Sequence, residues 1–278
     1  MAASLDRRTT PARPDLAAVS LRGQVEAARF VEGEAMTITA GRASLCASPS
    51  VDASQDSELL FGEQVTVYDR AEGWAWVQAA GDGYVGYLRQ EALGELPPAG
   101  LKVAALMAPV FSAPDLKTPV RDLLPMNALV PVRAQPGDYV EITPGAFLHR
   151  CHTAPLDQRE SDFAAVAERF VGVPYVWGGK TFAGQDCSGL VQTALAACGA
   201  AAPRDTDMQE AALGQPVDLD DARRGDLVFW KGHVGIVLDG GRLLHANAFH
   251  MQVAIEPLSE AVARIAKSGF PVTAVKRL

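Results

Sequence analysis

Cys187 stands in the stretch FAGQDCSGLVQ, between a polar loop and an apolar run. A structural cysteine usually lies inside an apolar segment, where it packs as a small hydrophobe. Here Asp186 is a good N-cap, so Cys187 falls in the first turn of a helix. At that position the helix dipole and unpaired N–H groups stabilise a thiolate, and the same groups can receive the oxyanion of an attacked carbonyl. A thiolate nucleophile needs a base. His233 opens the run HVGIVL, and His245 follows 12 residues later in RLLHANAF.

Strand geometry tests whether the two histidines can work together. If Gly240-Gly241 formed a two-residue hairpin loop, residues 239 and 242 would pair and the histidines would point to opposite faces. A three-residue loop, Asp239-Gly240-Gly241, pairs Leu238 with Arg242 and Gly235 with His245. Both histidines then share a face, with Gly235 making room. An odd-length loop or a bulge is therefore expected, and a regular two-residue hairpin would count against the site.

Other readings of these residues stay open at this point. Cys187 taken alone could be structural. Cys187, His233 and His245 together could bind zinc, which in catalytic sites takes three such ligands and an open position, although no helical histidine motif with a glutamate base accompanies them. The run GGKTFAGQD suggests a phosphate loop but lacks the required glycine spacing. Cys198, inside ALAACGA, reads as a packing thiol and His250, in AFHMQV, as a surface strand residue. Cys46, Cys151, His149 and His152 have no chemical context.

The elements that must carry these residues follow from local signals. SDFAAVAERFVG reads as a helix capped by Ser161 or Asp162, apolar at 163, 166, 167 and 170, and ended by Gly172. CSGLVQTALAACGA is a second helix, stopped by Gly199. GDLVFW, HVGIVL and RLLHANAF follow as strands. Helices followed by an antiparallel sheet make an α+β domain over residues 156–278.

The preceding chain contains an internal echo. Pro49 corresponds to Pro114, Val65-Thr66-Val67 to Val130-Pro131-Val132, Trp76-Val77 to Tyr139-Val140, and Gly86–Arg89 to Ala146–His149. Both copies alternate apolar residues between glycine turns, as small all-β barrels do. The pair resembles tandem bacterial SH3-like domains, over residues 36–97 and 98–153. Residues 1–35 read as an arm with a short helix, Asp15 to Phe30.

Composition sets the remaining bounds. The formal charge is −8 over 278 residues, which argues against a nucleic-acid partner, and no apolar run approaches a membrane helix. The first residues contain no apolar core of a secretory signal, so the cytoplasm is the expected compartment. Four cysteines without a CxxC pair fit free thiols in a reduced compartment.

PYVWGGKTFAGQDCSGLVQ, RRGDLVFW, GHVGIVL and LLHANA match, in order, the signature of the NlpC-type cell-wall cysteine peptidases. The resemblance covers nearly all of the C-terminal domain. With the SH3-like pair, the chain is similar to the γ-D-glutamyl-L-diamino-acid endopeptidases. The implied fold is two small all-β SH3-like barrels followed by an α+β papain-like domain. The implied roles are Cys187 as nucleophile, His233 as general base and acid, and His245 as the group that orients His233. The implied substrate is a murein peptide, L-Ala-γ-D-Glu-diamino acid, cut through an acyl-enzyme with no metal or cofactor, in cell-wall peptide recycling.

The resemblance also implies substrate contacts. Tyr175 borders the cleft, with a core tyrosine as the plain reading. Asp186 and Ser188 flank the nucleophile. Asp205 and Thr206 border the substrate's first residue, with a helix N-cap as the plain reading. Tyr84 and Glu58 of the first barrel meet the L-Ala amine where that barrel closes the cleft, and Tyr87 is then a barrel core residue. The alternatives are a non-catalytic cell-wall binding protein, and a papain-like amidase or acyltransferase acting on other amides.

Overall fold

Short strands separated by glycine turns dominate the chain up to Leu156, and helices join them only beyond it. A computed structural model describes residues 5–278; the first four residues of the expected arm lie outside the described residues. The chain divides into two units, one up to Leu156 and the other Asp157–Leu278.

In the first unit, strands Gln64–Ala71 and Trp74–Ala79 form the centre of a seven-stranded antiparallel sheet that also contains Glu34–Ile38, Arg42–Cys46, Gln55–Leu60, Val85–Arg89 and Leu93–Gly94. Alternation puts Val65, Val67, Ala75 and Val77 inside with Ile38, Leu45, Leu59 and Leu88. The same succession of elements then returns. Strands Leu101–Val103, Met107–Phe111, Val120–Pro125, Leu129–Val130, Tyr139–Thr143 and Ala146–His149 lead into the 3-10 turn Arg150–His152 and the strand Thr153–Pro155, as Val85–Arg89 leads into Gln90–Ala92 and Leu93–Gly94. Leu60 and Phe61 of the first succession pack into the core of the second, against Val103, Val110, Val130 and Leu148. That shared core makes the unit one body.

The expected helix between Asp15 and Phe30 does not form. Only a 3-10 turn, Val19–Leu21, is present; Ala17–Ala18 pairs in parallel with Phe30–Val31. Tertiary contacts override helix propensity here. Leu16, Ala17 and Ala18 are buried, and the Arg13 guanidinium lies 4.5 Å from the Trp76 ring centroid while donating to Asp69 (2.6 Å) and to the Tyr87 hydroxyl (3.1 Å). A helix through this segment would pull those groups away. Tyr87 is thus half-buried beside Arg13 instead of in the barrel core, and Tyr84 takes the core position.

The second unit carries four α-helices, α1 (Phe163–Glu168), α2 (Cys187–Ala197), α3 (Thr206–Ala212) and α4 (Leu258–Lys267). Its six-stranded antiparallel sheet runs Gln215–Pro216, Val272–Arg277, Leu227–Trp230, His233–Leu238, Arg242–Asn247, Gln252–Pro257 in spatial order. α4 lays Ala261, Val262 and Ile265 on Val228, Trp230, Leu243 and Val275. Among the described residues no helix is long and apolar enough to cross a membrane.

Candidate active site

Asp186 caps α2: its Oδ1 accepts the Gly189 N–H at 2.7 Å. The same carboxylate accepts the Gly178 N–H at 2.8 Å and is held by Arg204, whose Nη2 lies 2.6 Å from Oδ2 and Nη1 3.0 Å from Oδ1. Arg204 is 1% exposed, so this pair is buried, and a second Arg204 contact reaches the Ser188 hydroxyl at 3.0 Å. A charge taken that far from water needs a full set of partners, and Asp186 has four. A Cβ on residue 189 would sit 2.2 Å from the Gly179 carbonyl oxygen, so the glycine after Cys-Ser lets the loop close on the helix start. Cys187 is thereby fixed at the first helical position.

The two histidines come from neighbouring strands. Asp239-Gly240-Gly241 forms the expected odd-length loop, with Leu238 opposite Arg242, Val237 opposite Leu243 and Ile236 opposite Leu244. Gly240 (φ 71°) and Gly241 (φ 69°) both occupy the left-handed region that this loop requires. His233 and His245 share a face, and His233 Nε2 lies 2.8 Å from His245 Nδ1. The space beside Gly235 is filled by Leu243, whose Cδ1 would lie 2.7 Å from a Cβ there, and not by His245.

Cys187 lies at the start of the His233 strand, where its sulfur accepts from the Val234 backbone N–H, and the Thr206 hydroxyl is 3.6 Å from it. Burial pushes the Cys187 thiol up, and the neighbouring Asp186 carboxylate adds to the rise; Thr206 and the Val234 N–H act in the opposite sense. Cys187 at rest is therefore a thiol, in contrast to the thiolate expected for a helix N-terminus, because this helix start is enclosed. Burial likewise lowers His233 to about 3 and His245 to about 4, so both rings are neutral at neutral pH.

Two residues with no sequence-level expectation complete the site. His245 Nε2 lies 2.7 Å from Glu256 Oε1, and Arg264 of α4 donates to both Glu256 oxygens. Glu256 is on the same sheet face as His245, because Leu243 pairs with Glu256 and His245 with Ala254. An acid buried directly after the apolar run Val253-Ala254-Ile255 was the available signal. A cleft of about 350 Å³ opens beside the histidines, lined by Tyr175, Trp230, Lys231, Phe249 and Phe270 among others.

The expected contacts divide accordingly. Tyr175 lines the cleft, and burial raises its hydroxyl pKa. Asp186 and Ser188 lie with Arg204 in the buried network beside Cys187. Asp205 is the N-cap residue of α3, without a side-chain capping bond, and Thr206 faces Cys187. In the first unit, Tyr84 belongs to the β core and Glu58 pairs with Arg42 at 2.8 Å. His250 sits in the turn after Asn247, accepted by its side-chain oxygen, and not on a strand.

His245, His250 and Glu256 place possible ligand atoms within 4.8 Å of one another, the one such group among the described residues. Both Glu256 oxygens are taken by a guanidinium and both His245 nitrogens are bonded. A cation here would displace Arg264, so the donor set suits a hydrogen-bond relay better than a metal. What the arrangement offers chemically is a thiol, backbone N–H groups at a helix start and a neutral imidazole.

Residues 172–267 match the NlpC/P60 family, and residues 45–93 match the bacterial dipeptidyl-peptidase Sh3 domain. A gamma-D-glutamyl-L-lysine dipeptidyl-peptidase of Bacillus subtilis is 27% identical over 228 residues, 74% of this chain and 77% of its own length. Dipeptidyl-peptidase 6 of Lysinibacillus sphaericus is 27% identical over 248 residues, 80% of this chain and 91% of its own. The crystal structure of an NlpC/P60 family protein from Bacillus cereus shares the fold, with a TM-score of 0.75 at 20% identity, covering 88% of this chain and 99% of that one.

Proposed function

We propose that this chain, a cysteine peptidase whose residues 172–267 match the NlpC/P60 family and whose residues 45–93 match the bacterial dipeptidyl-peptidase Sh3 domain, hydrolyses the γ-D-glutamyl–L-diamino acid bond of murein peptides whose L-Ala amine is free. The observation that carries the chemistry is the capped start of α2, with Cys187 bonded to the strand that His233 opens. The name of the Bacillus subtilis relative, a gamma-D-glutamyl-L-lysine dipeptidyl-peptidase, supports the substrate class.

In this reading Cys187 attacks the γ-carbonyl of D-Glu. Its proton passes to His233 as the S–C bond forms, since thiol and imidazole are both neutral at rest. The oxyanion is received by backbone N–H groups at the start of α2. His233 then gives the proton to the departing diamino acid amine, and water, activated by the same ring, releases L-Ala-D-Glu from the thioester. His245 orients His233. Tyr175 borders the substrate.

We read the second β succession of the first unit as a second, diverged SH3-like barrel, on its repeated order of strands and closing 3-10 turn. A requirement for a free amine would restrict the enzyme to released peptides, which suits cell-wall peptide recycling in the cytoplasm. A site built for an ammonium rejects its acylated form strongly, on the order of 10⁴-fold, because its polar partners are left unpaired. The test is mass spectrometry of L-Ala-γ-D-Glu-diaminopimelate and of its N-acylated form after incubation, with and without an added amine acceptor. L-Ala-D-Glu and free diamino acid from the first substrate only is the expected outcome. Equal cleavage of both removes the amine requirement, and amide products with the acceptor make the enzyme a transferase.

A further inference from the structure

The proton positions of the two histidines follow from the group behind them. Glu256 lies under Arg264, whose guanidinium donates to both carboxylate oxygens. Although burial opposes it, these bonds and the one to His245 hold the Glu256 carboxyl below the usual carboxylate range, so it is ionised and can only accept. His245 Nε2, 2.7 Å from Glu256 Oε1, must then carry a hydrogen. A neutral ring has one N–H, so His245 Nδ1 is bare. The 2.8 Å contact between that atom and His233 Nε2 can be a hydrogen bond only if His233 Nε2 carries the hydrogen. His233 Nδ1 is left with its lone pair.

We propose that Glu256, clamped by Arg264, is a positioning residue that fixes the tautomer of both histidines and so keeps His233 Nδ1 open to accept the Cys187 proton. The inference rests on the reading of Cys187 and His233 as nucleophile and base. With both rings in the opposite tautomer, His245 Nδ1–H would donate to His233 Nε2, and His233 Nδ1 would carry a hydrogen and accept nothing. The relay moves no net charge at rest. When His233 takes the thiol proton at Nδ1, its Nε2–H still donates to His245, and the Glu256 carboxylate stabilises the resulting cation through that ring.

The test is long-range ¹H–¹⁵N correlation NMR of the ¹⁵N-histidine-labelled full chain at pH 7, which reads the protonated nitrogen of each ring without substrate. Nε2–H on both His233 and His245 is expected; Nδ1–H on either would overturn the proposal in the wild type, with no variant needed. Glu256→Gln replaces an acceptor-only group with one that donates as well, so the bias is lost. A mixture of tautomers is expected there, with kcat down about 10- to 100-fold and KM within about twofold. A fall in kcat with both tautomers unchanged would mean that Glu256 acts only structurally, and an unchanged kcat would remove its role. Turnover by Cys187→Ala would instead sink the catalytic reading, an outcome that the NMR result does not depend on.

Discussion

His233 Nε2 lies 2.8 Å from His245 Nδ1, with ring centroids 5.0 Å apart. The contact uses one nitrogen of His233 and leaves the other for a proton, whereas both nitrogens of His245 are occupied. The two rings cannot be interchangeable.

That asymmetry sets the first expectation. His233→Ala removes the proton acceptor and should lower kcat/KM by about three orders of magnitude or more. His245→Ala removes only its support and should cost about 10- to 100-fold. Steady-state kinetics on L-Ala-γ-D-Glu-diaminopimelate decide it; equal losses at both positions would contradict the assigned roles.

The raised Cys187 thiol makes a second expectation. Inactivation by iodoacetamide should accelerate steadily from pH 6 to pH 9, because the thiolate fraction is still growing over that range. A rate already level at pH 6 would reveal a resting thiolate and remove the concerted proton transfer.

Acid should weaken the peptidase unit through the same histidines. Their folded values, about 3 for His233 and about 4 for His245, lie below the ordinary 6.5. Between pH 6.5 and those values the unfolded chain binds protons that the folded site refuses, so stability is fully present above about 6.5 and is lost as pH falls. Denaturant titrations at pH 7 and 5 should show this loss, and His233→Ala should show less of it. An identical pH dependence in the variant would refute the buried neutral ring.

The sequence carried the site's local signals and missed its non-local ones. Asp186 as a cap and the Asp239-Gly240-Gly241 loop depend on a few adjacent residues, so the start of α2 and the register of the histidine strands were readable. Glu256 needed a second hairpin register, from Arg242 opposite Pro257, before its place beside His245 could be seen. Nothing in AAPRDTD marks Arg204 until the fold brings it to Asp186, 18 positions earlier. The arm failed for the opposite reason: helix-favouring residues from 15 to 30 were outweighed by Arg13 on Trp76 and by buried Leu16.

Arg204 gives a fourth expectation. Arg204→Met strands the Asp186 carboxylate in the interior, and breaking a buried pair in this way costs about 3–5 kcal/mol. Urea denaturation of the full chain, followed by a probe in the peptidase unit, should show a loss of that order. A loss under about 1 kcal/mol would mean that the pair does not hold the nucleophile turn.

The central claim is that Cys187 is the nucleophile, and turnover by Cys187→Ala tests it most directly. Cleavage of L-Ala-γ-D-Glu-diaminopimelate should be followed by mass spectrometry alongside the wild type, with Tm measured for both. The variant should keep its Tm, since alanine fits the first helical turn, and should lose activity to below about one part in a thousand. Residual activity above that level in a folded variant would contradict the account.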